Sequence, residues 1–573
     1  MRLSSTKTKN AESFYAIQTV TKNGKQTTKV VEKLGTLEGI KTKIGKDKDP
    51  YEWAREYVQE LNRKEKEETR EVITKYSPLK QIPKGEQRLY NIGYLFLQKI
   101  YYELGLDKIS DTISKKYKYE YDLDGILSRL IYGRILFPSS KLNTYKQVGE
   151  LVEPKTFELH QIYRALEIIA KESDTIESCI YNNSKKIVKR NTGILYYDCT
   201  NYYFEIDKAN GTKQYGMSKE HRPNPIVQMG LFMDGNGMPL AFSIFDGNQN
   251  EQQSLKPLEK RIIKDFSLSK FVVCTDAGLS STENRIFNTL GERSFIVTQS
   301  IKKLKAHLTD WSLDPSGWRV AGDDTKYNLS AIDEDEHIDT IFYKERWINE
   351  NDLSQKLIVT FSVKYKRYMQ SVRQSQIDRA KKIVATPSKF NRPKQNDPKR
   401  LVKEQYVTKD GEVADNLRLD IDEDTIAQEE RFDGFYAACT NLDDGAPAIL
   451  KVIQRRWEIE ECFRILKSEF RARPIFLSRD DRIKAHFVTC FLALVIYRLL
   501  EAKLPVGFTC PQIVRTLRDM KLFDLDGNGF TPAYTRTDLT DALHDAFGFH
   551  TDFQAITPSA MKRIIKMTHS NSS

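Results

Sequence analysis

At Ile194 the period of the sequence changes. From Leu89 to about Lys189 apolar residues recur at helical spacing, as in Ile92, Leu95, Phe96 and Ile100, and again in Ile126, Leu127, Leu130 and Ile131. Ile194-Leu-Tyr-Tyr-Asp198-Cys-Thr-Asn-Tyr-Tyr-Phe204 then reads as a strand. It is followed by Ile226 to Met233, a turn at Asp234-Gly-Asn-Gly237, and Met238 to Phe245. A helical stretch from Glu251 to Phe266 leads to the strand Phe271-Val-Val-Cys-Thr275, a helix near Glu283 to Leu290 and a strand from Ser294 to Thr298. The order βββαβαβ fits a mixed sheet flanked by helices, an α/β fold.

The rest of the chain arranges itself around this block. Tyr15-Ala-Ile-Gln-Thr-Val20 and Thr28-Lys-Val-Val31 flank Asn23-Gly24, a type I′ turn pair, so an N-terminal hairpin is expected, with a charged helix from about Tyr51 to Lys75. Pro78 and Pro83 mark a linker. Residues 301–431 are polar with strand-like pieces at Asp339 to Tyr343 and Lys356 to Val363, and read as a β-rich insertion. A last strand at Phe435 to Cys439 and a long helix from about Pro447 to Phe470 follow. The expected domains are 1–84 (hairpin and charged helix), 85–190 (α-helical and DNA-binding), 191–300 (core, first part), 301–431 (insertion), 432–500 (core, second part) and 501–573.

Composition narrows the class. Hydrophobic residues at 39% and aromatics at 11% of 573 residues permit packed cores, which disordered chains lack. Seven cysteines stand singly with no CxxC pair, so neither a zinc cage nor a disulfide framework is indicated, and a cytoplasmic location is expected. No signal-peptide-like apolar stretch follows the basic start, and the run Phe487 to Tyr497 is too short to span a bilayer and reads as a buried helix. The net charge of +11 matters by its placement. Arg373 to Lys403 holds ten Lys or Arg against two Asp beside Pro387, Pro393 and Pro398, as a basic loop or arm for nucleic acid would, although charge runs are also ordinary solvated faces.

Three acids stand out. Asp198 sits in an apolar strand, where a carboxylate is costly without a cation, unless it merely faces solvent. Asp276 follows an apolar strand, a common ligand position in α/β sheets and an ordinary place for a turn Asp. On a continuous helix Glu460 shares a stripe with Ile453, Arg456, Arg464 and Lys467, bordering an apolar stripe; the plain alternative is a ladder of surface ion pairs. Together the three carboxylates are hard oxygen ligands suited to two Mg²⁺ ions about 3.5–4 Å apart.

This set resembles the DDE transposases of bacterial insertion sequences, in the group whose ribonuclease-H-like core is interrupted by a β-rich insertion before the catalytic Glu. The carrying motifs are Tyr-Tyr-Asp198-Cys-Thr, Thr-Asp276-Ala-Gly-Leu, Ser218-Lys219-Glu220-His221-Arg222, Arg482-Ile-Lys-Ala-His486-Phe, and Arg456, Glu460 and Lys467 of the Tyr-Arg-Glu-Lys signature, whose Tyr position holds Ile453. The resemblance implies that Asp198, Asp276 and Glu460 bind two Mg²⁺ ions, for which Mn²⁺ can substitute. It implies that Arg456, Arg464, Lys467, Lys219, His221 and Arg222 contact DNA. It further implies cleavage at transposon terminal inverted repeats, joining of the 3′-hydroxyl ends to target double-stranded DNA, and a homodimer holding two ends. An aromatic of the insertion, among Trp311, Trp318 and Trp347, is a candidate base-stacking residue if cleavage passes through a hairpin; ordinary packing is the alternative.

Two other readings stand beside this one: a ribonuclease-H-like nuclease without strand transfer, and a domesticated DNA-binding protein without catalysis. A glycosidase using Asp198 and Glu460 is a third, and leaves the basic segment unexplained. His486 falls on an apolar helix face and reads as a core histidine. The segment from Asp524 to Gly529 imitates a calcium loop but has Thr535 at the twelfth position.

Overall fold

The computed structural model describes the chain except for residues 9–10, 23–24, 45–48, 69–71, 351, 386–396, 408–415 and 571–573. It divides into two units, Met1–Glu86 with Leu525–Phe530, and Gln87–Asp524 with Thr531–Ser573. In the first, β1 (Arg2–Lys7), β2 (Glu12–Lys22) and β3 (Lys25–Thr36) form an antiparallel sheet, followed by α1 (Leu37–Ile44) and α2 (Pro50–Glu68). Phe14, Ile40 and Ala54 make its small core. The expected hairpin thus gains a third strand; its Asn23-Gly24 turn lies outside the described residues.

The second unit opens with β4 (Leu89–Asn91) and six helices: α3 (Tyr94–Glu103), α4 (Leu106–Tyr117), α5 (Leu123–Leu136), α6 (Lys141–Gln147), α7 (Leu159–Lys171) and α8 (Ser173–Ser184). Asp122 and Ser140 supply side-chain caps to α5 and α6. The α/β block then appears in the expected order: β5 (Ile194–Tyr203), β6 (Ile226–Asp234), β7 (Pro239–Asp246), α9 (Leu255–Asp265), β8 (Lys270–Thr275), α10 (Thr282–Phe287) and β9 (Glu292–Gln299). In the sheet they lie as β9-β8-β5-β6-β7, with β5, β8 and β9 parallel and β6 antiparallel to both its neighbours. This is the mixed, ribonuclease-H-like sheet.

The segment after β9 widens that sheet. Following α11 (Ala306–Leu313), the strands β10 (Trp318–Val320), β11 (Asp323–Tyr327), β12 (Ile341–Glu350) and β13 (Leu353–Ser362) pair in antiparallel fashion, and β13 joins β9 through β16 (Phe435–Thr440). The result is one ten-stranded sheet, order β11-β10-β12-β13-β16-β9-β8-β5-β6-β7. Trp318, Phe342, Leu357, Val359 and Cys439 bury a second core on the added half.

Between β13 and β16 run α12 (Val363–Val384), β14 (Val402–Val407), β15 (Asn416–Ile421) and α13 (Glu423–Glu430). Here the expectation of a basic loop needs correction. Arg373 to Val384 belongs to a 22-residue helix, and Arg373 is buried against Asp433, with Nη1 donating to Oδ2 at 2.6 Å. Arg400 pairs with Glu429, Nε to Oε1 at 2.9 Å. Acids distant in sequence therefore neutralise part of the excess. Pro387, Lys389, Arg392, Pro393 and Lys394 lie outside the described residues.

After β16 the single long helix that apolar spacing predicts is divided. It consists of α14 (Ala446–Gln454), a break at Arg455 and Arg456, α15 (Trp457–Arg464) and a π turn over Ile465–Glu469. The break and the wider π turn each change the angular phase, so residues before 455 and after 464 leave the stripe computed for a continuous helix. Next, α16 (Asp480–Lys503) is long and apolar enough to cross a membrane, yet 89% of its most apolar window is buried within the fold. It packs on α5, α7 and β7 as a core helix. The elements α17 (Cys510–Asp519), β17 (Lys521–Asp524, paired with β4), α18 (Asp538–Phe547) and α19 (Pro558–His569) complete the unit.

Candidate active site

Strand alternation decides what Asp198 faces. On β5, Leu195, Tyr197 and Cys199 point into the core under α9. Tyr196, Asp198 and Tyr202 take the other face, where the Tyr196 hydroxyl donates to Val452 O at 2.9 Å and the Tyr202 ring meets Phe487 at 4.9 Å. Asp198 therefore opens toward α14, α15 and α16. Parallel pairing of Tyr196 with Cys274 places Asp198 and Asp276 each two residues further along adjacent strands, at the same end of the sheet.

Asp198 feels the charge of Asp276. Burial pushes the Asp198 carboxyl up to about 6; Lys219 opposes the rise, Asp276 adds to it, and the Cys199 N–H, donating to Oδ1 at 2.7 Å, and Arg456 oppose it. Asp276 Oδ1 accepts from Leu279 N at 3.1 Å, which fixes the turn leaving β8. Arg456 stands at the break before α15, within the field of both acids. Burial depresses its guanidinium and the negative charge around it more than offsets that, so the net shift is upward. Its Nε is buried with no hydrogen-bond partner.

Lys467, on the π turn, is half-buried, and burial together with the charge of Lys219 holds it down to about 8, against the attraction of Asp198. Lys219 Nζ donates to Cys199 O and lies 3.4 Å from Glu251. Arg222 sits over the Tyr203 ring at 4.1 Å and 3.7 Å from Glu220. Exposed His221 turns the loop with φ 56°, its N–H donating to Ser218 O at 3.0 Å. Asp198, Asp276, Arg456, Lys219 and Lys467 are thus brought together.

Neither Glu460 nor Arg464 is among the main charges that shift Asp198 or Arg456. Glu460 is exposed on α15, which packs against β5, one helical turn beyond Arg456. Arg464, on the same α15 stripe as Glu460, is held by Glu461 three residues before it, Nε to Oε2 at 2.6 Å. Among the described residues the three His, Cys, Asp or Glu whose ligand atoms all lie within 4.8 Å are His544, His550 and Asp552, a different set.

Two charged residues beyond the predicted set also reach the cluster. Glu220 pairs with Arg473 and lies 4.0 Å from Lys467. Glu220 stood inside a recognised motif among more conspicuous bases, and Arg473 falls six residues past the signature Lys, so pattern alone did not single them out. In the added half of the sheet Trp318 is fully buried and Trp311 packs against the core, whereas Trp347 is exposed.

The site is thus a mixed sheet in which Asp198 and Asp276 lie level with each other on neighbouring parallel strands. The profile of the family described as "Transposase DDE domain" matches residues 204–496, more than half of the chain. The chain belongs to this transposase family.

Among solved structures, the piggyBac transposase synaptic complex with hairpin DNA aligns with 8% identity over 85% of this chain and 89% of that one, at a TM-score of 0.35. The Mos1 transposase paired-end complex with left transposon end aligns with 11% identity over 44% and 68%, at 0.12. No curated protein matches the chain.

Proposed function

We propose that this transposase cleaves DNA at the ends of an insertion element and joins the freed 3′-hydroxyls to target DNA. The observation that carries the reading is the Asp198 and Asp276 pair, set at one end of adjacent strands under Arg456, with the Asp198 carboxyl raised to about 6. Two crowded, partly desolvated carboxylates favour a hard divalent cation, so the donor set fits Mg²⁺ or Mn²⁺. Asp198, Asp276 and Glu460 would hold the ions. When bound they would activate the attacking oxygen and stabilise the leaving one.

The chain's own part is positioning. Arg456, a half-buried fork beside the acids, is placed to orient non-bridging phosphate oxygens bidentately. Lys467 and Lys219 add positive charge on the Asp198 side. In each step an oxygen, from water or a 3′-hydroxyl, forms a bond to phosphorus as the opposite P–O bond breaks in line. No covalent bond to the protein is required. Two element ends held together call for two copies of the chain.

The experiment is an Mg²⁺- or Mn²⁺-dependent assay on DNA carrying the element's terminal repeats. Wild type cleaves and joins; Asp276→Ala does neither. Residual cutting by the variant would remove Asp276 from the site, and cutting without joining by wild type would make the protein a nuclease.

A further inference from the structure

A second basic feature lies where α5, the start of α6 and the segment after the π turn meet. A cavity of about 300 Å³ there is lined by Arg134, Lys141, Tyr163, Arg471, Arg473 and His486 together with Ser139 and Phe476. Among the described residues no Asp or Glu lines it. Arg473 is balanced by Glu220. Arg134 is 4% exposed and spends its Nη atoms on the carbonyls of Phe470, Arg471 and Ser139 at 3.1–3.2 Å, while its Nε is buried without a partner. Carbonyl oxygens satisfy its N–H groups without neutralising its charge.

Lys141 is the sharper anomaly. It is 5% exposed, and among the described residues its ammonium has no hydrogen bond and no ion pair. Burial, together with the charge of Arg134, holds it down to about 7. His486 does not help: its Nε2 is 3.0 Å from Ala472 O, and burial keeps the ring neutral. An ammonium on a largely buried side chain that lines a cavity without an acid is destabilised, and is relieved either by losing its proton or by gaining an anion there.

We propose that this cavity is a phosphate-binding site in which Lys141 and Arg471 contact the anion and Arg134 supplies the background charge. A tetrahedral oxyanion offers several acceptors to a lysine and an arginine at once. The exposed ring of Phe476, 64% accessible at the lining, gives the sugar or base attached to such a phosphate a surface to pack on. Arg473 links the cavity through Glu220 to Lys467, 4.0 Å from that acid, so both positive regions lie along one line of contacts. If the transposase reading above holds, the phosphate belongs to the DNA backbone; a free phosphate or nucleotide has the same chemistry.

The full-length protein, free of divalent metal, is titrated calorimetrically with inorganic phosphate against chloride at equal ionic strength. Wild type is expected to bind saturably, Lys141→Met and Arg471→Ala at least about tenfold more weakly, and Asp276→Ala like wild type. Lys141→Met removes an unpaired buried charge, so folding is retained. Competition by a DNA duplex assigns the site to the backbone, and phosphate binding that duplex leaves untouched assigns it to a free anion. Absence of saturable binding by wild type, or equal binding by Lys141→Met, overturns the site. Phosphate binding by a protein that neither cuts nor joins DNA would overturn the transposition mechanism and leave the site standing.

Discussion

Glu458 and Glu460 leave α15 about 200° apart and so face opposite ways. Glu458 is 8% exposed, with Arg455 donating to it at 2.9 Å and Arg498 3.5 Å away, whereas Glu460 is exposed. The two acids therefore have separable roles. Glu460→Gln is expected to lower DNA cleavage more than about a hundredfold, since even outer partners of metal ligands cost 10–100-fold. Its effect on stability should stay within about 0.5 kcal/mol, as for an exposed position. Glu458→Gln should destabilise by about 1–2 kcal/mol, through the weakened bonds from Arg455 and Arg498, because Arg498 keeps Glu501 as a partner at 2.6 Å. Chemical denaturation alongside the cleavage assay measures both. Loss of activity without unfolding in Glu458→Gln, with Glu460→Gln active, would reverse the assignment.

Arg373 and Asp433 make a buried two-point pair with side-chain exposures of 7% and 2%, fastening α12 to the approach to β16. Removing only Asp433 strips the buried guanidinium of its two-point partner and leaves it the more distant Glu430 at 3.7 Å, so Asp433→Ala should cost about 3 kcal/mol. The double variant Arg373→Met with Asp433→Ala should recover most of that loss. Denaturation midpoints of the four proteins give the coupling, and additive losses would mean the pair does not act as a unit.

That pair also marks what sequence reading reaches. The βββαβαβ order is legible because apolar and aromatic residues cluster densely in the strands, as from Ile194 to Phe204, and recur at helical spacing between them. The closeness of Asp198 and Asp276 follows from one acid within β5 and one just past the end of β8, strands that are parallel neighbours. A local charge count could not show that Arg373 would be met by an acid 60 residues on. Ile453 to Glu469 carries no Pro or Gly to announce the break at Arg455 or the π turn, so the sequence puts Ile453 and Lys467 on a continuous stripe with Glu460 that the backbone does not maintain. Lys141 reads as a surface residue until α5 and the segment around Arg471 close over it.

Lys467 carries a pH signature. Burial and the neighbouring Lys219 hold it down to about 8, so in the free protein it loses its charge as pH rises through 8. DNA affinity should then fall between pH 7 and 9. The slope of log K against log salt should shrink by about 0.9, the contribution of one phosphate contact to B-DNA. Fluorescence anisotropy at several salt concentrations reads both quantities. Lys467→Met should show the shallower slope at both pH values; a full pH response in that variant would move the titration to another group.

Lys141 gives the opposite kind of test, one of stability in phosphate-free buffer. Its value of about 7 in the folded chain lies below the ordinary 10.5, so between those values the unfolded chain binds a proton that the folded chain does not. Stability therefore rises with pH from about 7 to 10.5, and the penalty for burying the ammonium is full below 7. Lys141→Met removes that penalty and should stabilise the protein by at most about 5 kcal/mol at pH 7, with the gain shrinking toward zero near pH 10. Thermal unfolding of wild type and variant at pH 6, 7, 9 and 10 measures the difference. A gain that stays constant across this range would show that the methionine acts through packing alone, and that Lys141 is not held as an unpaired charge.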